Sequence, residues 1–276
     1  MNDEPKPLTP RSVGGILQLG GTILHTARCP EFAARRGVRK AARNLLRSRV
    51  DGLVIIGGNG SFKGALDLSR ETDALIVGVP ATIDNDVYGS DETIGFDTAV
   101  NTAISEIDKI RDTAISHERK FIVEVMGRNR GFLALTAGIT AGAEIIIVPE
   151  IRLKRENMFR TLEENSRKGK KSSIIVKAEG AGDADELAGE IERRTGSEVR
   201  ISVLGYAQRG GSPTARSRLL ASLFGEKAVE LLLSGQGGRV VGLQGGGVSM
   251  ISLEKSCGTE KPLDMNLMVL ANLLAT

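Results

Sequence analysis

Short apolar runs separated by glycine-rich or acidic stretches set the pattern of this chain. Residues 53–56 and 75–79 are brief, β-branched and free of polar alternation, as strands buried on both faces of a parallel sheet are. Between them, 62–69 carries apolar positions at roughly helical spacing. The local order is therefore strand, glycine loop, helix, strand, carboxylate loop. Both loops leave the carboxyl ends of their strands, where open α/β sheets usually bind ligands. The same alternation continues along the chain. It predicts helices over 11–19, 32–50, 98–112, 132–141, 155–168, 187–194, 218–234 and 263–274. Further strands are predicted over 121–125, 144–148, 172–176, 200–204 and 240–243. Ala99, Ala103, Ile107 and Ile110 mark the buried stripe of one helix, and Leu219, Leu223 and Leu231 that of another. Residues 1–10, polar and with three prolines, read as a tail.

The first loop is Gly57-Gly58-Asn59-Gly60-Ser61. Adjacent glycines let backbone amides approach an anion, and the following helix adds its positive end. Ser61 serves either as a phosphate donor or as the helix cap. A tight turn with an ordinary cap accounts for this loop equally well, and it matches neither the dinucleotide fingerprint nor a P-loop. The second loop, Thr82-Ile83-Asp84-Asn85-Asp86, is more telling. The natural partners of its two carboxylates are a divalent cation bridging phosphate oxygens and a hydroxyl that must lose its proton. Asn and Asp are also common turn residues. Here no short hairpin follows, and Asp91, Glu92 and Asp97 add acid nearby. Arg119 and Arg128 flank the strand over 121–125, Arg28 follows a double glycine, and Glu179 follows the strand over 172–176. Arginines beside a carboxylate loop suit an oxyanion or phosphate substrate, with local ion pairing as the plainer account.

Composition narrows the function classes. A 276-residue chain accommodates one large or two modest domains. Its 37 basic and 34 acidic side chains nearly balance, and aromatics make up only 3%. Neither feature suits a nucleic-acid-binding surface. Cys29 and Cys257 form no metal spacing and no disulfide framework, which points to a reducing compartment. No apolar run approaches the ~18 residues of a membrane span, and the start does not read as a signal peptide. A soluble, cytoplasmic protein is expected.

The motifs GGTILHTAR, GGNGS, PATIDND, VEVMGR and LGYAQRGGSP occur in that order across about residues 12–250. Together they resemble the phosphofructokinase superfamily, in its bacterial glycolytic form. The resemblance implies two Rossmann-like three-layer α/β/α domains with mostly parallel sheets. Residues 1–94 with 208–260 would form the large nucleotide-side domain, and 95–207 with 261–276 the small sugar-phosphate-side domain. It implies phosphorylation of fructose 6-phosphate at its 1-hydroxyl with ATP and Mg2+, or with pyrophosphate in one branch, by a homo-oligomer that is usually a tetramer. By motif, Asp84 resembles the base, and Thr82 and Asp86 resemble partners of the transferring phosphate and its magnesium. Arg128 resembles the arginine beside the transfer site. Met126 and Gly127 would shape the sugar pocket, and Glu179, Tyr206 and Arg209 would contact the sugar phosphate. Arg119 and Arg200 resemble arginines that reach a neighbouring subunit's 6-phosphate. Arg28, Gly58, Asn59, Gly60 and Ser61 resemble nucleotide contacts, and Arg111, Glu144 and Lys170 resemble an anionic effector site.

Three departures accompany these matches. Asn59 stands where the GGDGS motif has a magnesium-side aspartate, so Asn59 would be a neutral ligand or act through water. Tyr206 stands where histidine is usual, and it donates a hydrogen bond without becoming cationic. The family's opening strand and GGDxPGxN loop have no counterpart, so the large domain is expected to be incomplete at its N-terminus, with an exposed sheet edge. Gly60 and Ala81 replace the aspartate and lysine of pyrophosphate users, which favours ATP. The alternatives are a catalytically weak or inactive paralogue that binds sugar phosphate, and a pyrophosphate-dependent phosphofructokinase. A nicotinamide dehydrogenase is disfavoured, since no strand carries the full fingerprint.

Overall fold

A computed structural model describes residues 5–275. In chain order its elements are α1 (Arg35–Arg47), β1 (Gly52–Gly57), α2 (Asn59–Ser69), β2 (Leu75–Pro80), α3 (Phe96–His117), β3 (Lys120–Val125) and α4 (Phe132–Thr140). Then come β4 (Ile145–Ile147), α5 (Arg155–Arg167), β5 (Ser173–Ala178), α6 (Ala184–Thr195), β6 (Val199–Val203) and α7 (Ala215–Leu233). The chain closes with β7 (Arg239–Gln244), β8 (Gly247–Ser252), α8 (Leu253–Gly258) and α9 (Met265–Leu274). It divides into two compact units. The first holds the chain through Thr82, Asp86–Gly95 and Gly210–Lys261, and the second holds Ile83–Asn85, Phe96–Arg209 and the chain from Pro262 onward.

The first unit is built on a sheet of order β1-β2-β7-β8, parallel except for the β7–β8 pair. Successive side chains of a strand face opposite ways. Ile76 and Val240 accordingly pack with Phe62, Leu68, Val38 and Leu253 from α2, α1 and α8. Val77 and Val241 pack with Leu220, Phe224, Ala228 and Leu231 of α7 on the other face. Gly78 is required under Phe62, whose ring atom would lie 2.8 Å from a Cβ there. Three sequence expectations change. The α7 stripe is Leu220, Phe224, Ala228 and Leu231, while Leu219 is 54% exposed. β1 is an edge strand of this sheet with Ile56 55% exposed, rather than a strand buried on both faces. The helix expected over 11–19 is only a 3-10 turn, Pro10–Val13. Gly14 and Gly15 weaken helix there, and Leu17 and Leu19 stay exposed with no apolar face to stabilise one.

The hairpin strand β8 was not anticipated. Gly245 and Gly246 both take positive φ, 56° and 85°, as a two-residue hairpin turn requires. The glycine run at 245–247 before the short, largely apolar Val248-Ser249-Met250-Ile251 was its signal.

The second unit has a fully parallel sheet of order β4-β5-β3-β6. On one face Val123, Val125, Ile174 and Val176 pack against Ala99 and Ala103 of α3, Leu133 and Ala137 of α4, and Met268 of α9. On the other, Ile122, Ile175 and Val199 pack against Met158, Phe159 and Leu162 of α5 and Leu187 and Ile191 of α6. Asp183 caps α6 by accepting from the Glu186 amide, and Gly196 ends it at φ 67°. Each unit is thus a helix–sheet–helix sandwich, as the alternating pattern required. Among the described residues, no helix is long and apolar enough to cross a membrane.

Candidate active site

In the first unit, β1 runs into the glycine loop and α2 begins at once. Gly58 is the N-cap residue, so the amides of the first turn, beginning at Asn59, lack intrahelical acceptors. Ser61 is therefore a first-turn residue and not the cap. Its Oγ would lie 2.5 Å from a Cβ at Gly57, so only glycine fits there. A Cβ on Gly58 would come 3.2 Å from Thr82, whereas around Gly60 the space is open. The neighbouring backbone is pinned from several sides. The Ala81 amide donates to the Gly57 carbonyl at 2.9 Å, and Thr93 Oγ1 donates to the Thr82 carbonyl at 2.6 Å. Asn59 Nδ2 donates to the Asp86 carbonyl at 3.1 Å. Thr82, Asp86 and Asn59 are thus gathered around the amide-rich loop. Arg28 lies exposed in irregular chain, and no described contact ties it to that loop.

No group of three or more His, Cys, Asp or Glu side chains forms a metal cluster among the described residues. Asp86 and Asn59 supply one carboxylate and one amide. That donor set fits Mg2+, which is usually bound through one or two carboxylates with substrate phosphates and water completing the shell.

In the second unit the carboxyl ends of β3, β5 and β6 converge on one set of loops. Asp84 is buried, and Arg128 Nε lies 3.4 Å from its Oδ2. Asn85 and Arg128 both take left-handed backbone, φ 51° and 53°. Such strain in residues with side chains needs support from the surroundings. For Arg128 the support is explicit. Glu179 Oε1 accepts from the Gly127 amide at 3.2 Å and the Arg128 amide at 2.5 Å. Gly180 backs onto the same turn so closely that a Cβ would sit 2.2 Å from the Arg128 carbonyl oxygen. The Met126 amide donates to Oε1 of the buried Gln208 at 3.3 Å. Arg209 stacks on the exposed Tyr206 ring at 5.0 Å.

The structure thus brings Asp84, Met126, Gly127, Arg128 and Glu179 together, and adds Gln208, to which the sequence reading gave no role. Its signal was its place in the turn after a strand, next to Arg209. Glu179 spends one oxygen on bracing the Arg128 turn, which leaves Oε2 for a hydroxyl.

Arg119 and Arg200 lie elsewhere, at the amino ends of β3 and β6. Arg119 precedes Met126 by seven residues, and seven residues of extended chain span about 23 Å. They cannot hold the same small ligand as Arg128 within one copy of this unit. Both instead pair with Glu198: Arg119 Nε with Oε2 at 2.5 Å, and Arg200 Nη2 with Oε1. The Arg111, Glu144 and Lys170 group is also internally paired. Buried Glu144 accepts from Lys170 Nζ at 2.7 Å and from the Ile174 amide at 2.6 Å, with Arg111 Nη1 at 3.5 Å.

Known proteins resemble this chain over most of its length. The phosphofructokinase family model matches residues 1–232. The chain is 50% identical over 274 residues to the ATP-dependent 6-phosphofructokinase 1 of Thermus thermophilus, covering 99% of this chain and 85% of that protein. It is 54% identical over 233 residues to the ATP-dependent 6-phosphofructokinase of Lysinibacillus sphaericus, covering 84% of this chain and 73% of that one. Among solved structures, phosphofructokinase from Saccharomyces cerevisiae superposes with a TM-score of 0.80 at 31% identity. That match covers 94% of this chain but only 38% of the yeast chain, so this chain spans well under half the yeast chain's length.

Proposed function

The chain belongs to the phosphofructokinase family, and from that premise we propose that it is an ATP-dependent 6-phosphofructokinase acting in the cytoplasm. It moves the γ-phosphoryl group of ATP to the 1-hydroxyl of fructose 6-phosphate. The observation that carries this reading is the buried Asp84 carboxylate held 3.4 Å from the guanidinium of Arg128. As the bond from the hydroxyl oxygen to phosphorus forms, the bond to the β-phosphate oxygen breaks. The hydroxyl proton passes to Asp84, and ADP leaves. Arg128 pairs with the Asp84 carboxylate and offers its remaining N–H groups to the transferring oxygens. Its strained turn, clamped by Glu179, fixes where those donors stand.

The donor phosphates are read as lying on the α2 amides and Ser61, beside Thr82. Arg28 would add a further contact to these phosphates. Asp86 and Asn59 would hold Mg2+, which when bound offsets charge on the phosphate oxygens. The open space around Gly60 favours ATP over pyrophosphate, because an aspartate there would add bulk and negative charge where nucleotide phosphates pass. In unit two, Met126, Gly127 and Glu179 would receive the sugar, with Arg209 and Tyr206 near its 6-phosphate. Arg119 and Arg200, too distant from Arg128 to serve this copy, would complete a second copy's site. A homo-oligomer, expected to be a tetramer, follows from that reading.

Fructose 6-phosphate phosphorylation is to be measured with ATP and with pyrophosphate at matched magnesium, beside the variant Asp84→Asn. We expect turnover with ATP, and a fall of roughly 10²–10⁴-fold in the variant with little change in sugar-phosphate affinity. Preference for pyrophosphate would overturn the donor, and binding without turnover would favour a sugar-phosphate-binding paralogue. Near-full turnover by Asp84→Asn would remove Asp84 as the base.

A further inference from the structure

We propose that Glu198 is a positioning residue that sets the affinity for the phosphate monoester of the acceptor, by holding Arg119 and Arg200 side by side. The inference rests on the reading that these two arginines bind that phosphate. Strand geometry creates the arrangement. Glu198 and Arg200 are two residues apart at the start of β6, so they project to the same side. The Lys120 amide donates to the Glu198 carbonyl at 3.2 Å, which sets Arg119 alongside Glu198 across the parallel ladder. The backbone on either side is fixed as well. Ser197 Oγ accepts from Lys120 Nζ at 2.5 Å, and the Val199 amide donates to Glu192 Oε1 at 2.9 Å.

One carboxylate thus divides its two oxygens between two guanidinium groups. Without it, two neighbouring cations on long side chains would repel and spread over many rotamers. Stability is a poor account of this triad. Arg119, Glu198 and Arg200 side chains are 31%, 41% and 56% exposed, and ion pairs this exposed are worth little. The donor inventory points to a ligand instead. Arg119 commits its Nε, leaving both terminal nitrogens, and Arg200 commits one terminal nitrogen, leaving most of its fork. Two positive charges against one negative leave a net positive charge and two aligned forks. That arrangement suits a dianionic phosphate on a sugar better than a neutral hydroxyl or a single carboxylate.

The test uses the intact chain and reads sugar-phosphate affinity both as KM and as direct binding of fructose 6-phosphate by calorimetry, so it does not depend on turnover alone. Glu198→Ala should weaken fructose 6-phosphate binding roughly tenfold, while kcat and the KM for ATP stay within about threefold. Glu198→Gln, whose amide oxygen still accepts from an arginine, should recover most of the loss. Unchanged or tighter binding in Glu198→Ala, or equal losses in the two variants, would overturn the proposal. Arg119→Ala and Arg200→Ala separate the two levels. If they weaken binding and Glu198→Ala does not, only the role of Glu198 fails. If neither does, or if the parent chain binds no fructose 6-phosphate, the underlying reading fails with it.

Discussion

Lys177 offers a sharp test of how the second unit is held together. Its side chain is 0% exposed, and its ammonium lies 2.8 Å from Glu124 Oε2 and 3.2 Å from the Ala178 carbonyl. The parallel register pairs Glu124 directly with Lys177, at the strand ends that lead into the Met126–Arg128 turn and Glu179. Two variants break the pair unequally. Glu124→Gln leaves a cation with no access to water and only neutral acceptors, for which about 3–5 kcal/mol is expected. Lys177→Met leaves a carboxylate that is 20% exposed and can be partly hydrated, so its cost should be lower, about 2–3 kcal/mol. Replacing both, Glu124→Gln with Lys177→Met, removes both charges and should recover much of the loss. Guanidinium denaturation of the three variants gives the values and, as a double-mutant cycle, the coupling. A larger loss for Lys177→Met than for Glu124→Gln would refute the argument from unequal solvent access. A double variant no better than the worse single would show that packing, not an uncompensated charge, dominates.

Two further outcomes follow from other positions. Gly180→Ala should lower turnover by at least about tenfold and cost about 1–3 kcal/mol, because the new methyl drives into the Arg128 carbonyl and moves the turn. Full activity in that variant would mean the turn shifts harmlessly. Burial holds the Lys120 ammonium below the ordinary lysine pKa. Below that lowered pKa both states carry the proton and the folded state bears the full cost of burying it. Between it and the ordinary value of about 10.4 the unfolded chain binds more protons, so stability rises with pH. Lys120→Met, which also gives up the bond to Ser197, should lack this pH dependence, so the parent should gain stability relative to it as pH approaches 10. A difference that stays constant over pH 7–10 would show that burial does not tune this lysine.

Much of this protein was determined by its sequence alone. Brief β-branched runs fixed where strands lie, and helical spacing fixed which side of α3 is buried, down to Ala99, Ala103 and Ile107. Those signals are local, since a strand or helix face repeats within a few residues. The glycine and carboxylate loops were legible for the same reason, and their order along the chain pointed to the family. Only the tertiary structure decided which distant residues become partners. Nothing near Glu179 in sequence says that it braces the Arg128 turn, or that Gln208 holds the Met126 amide. Lys177 falls just past the strand predicted over 172–176, and only its register against Glu124 makes its burial tolerable. The α7 stripe was read one residue out of phase at Leu219, because the adjacent Leu219 and Leu220 blur the local pattern and only the sheet it packs against selects the face. That Arg119 and Arg200, each at the start of a strand, both meet Glu198 was likewise invisible locally. Partners of this kind are joined by strand order and register, which depend on contacts between segments far apart in the chain, and no local pattern encodes them.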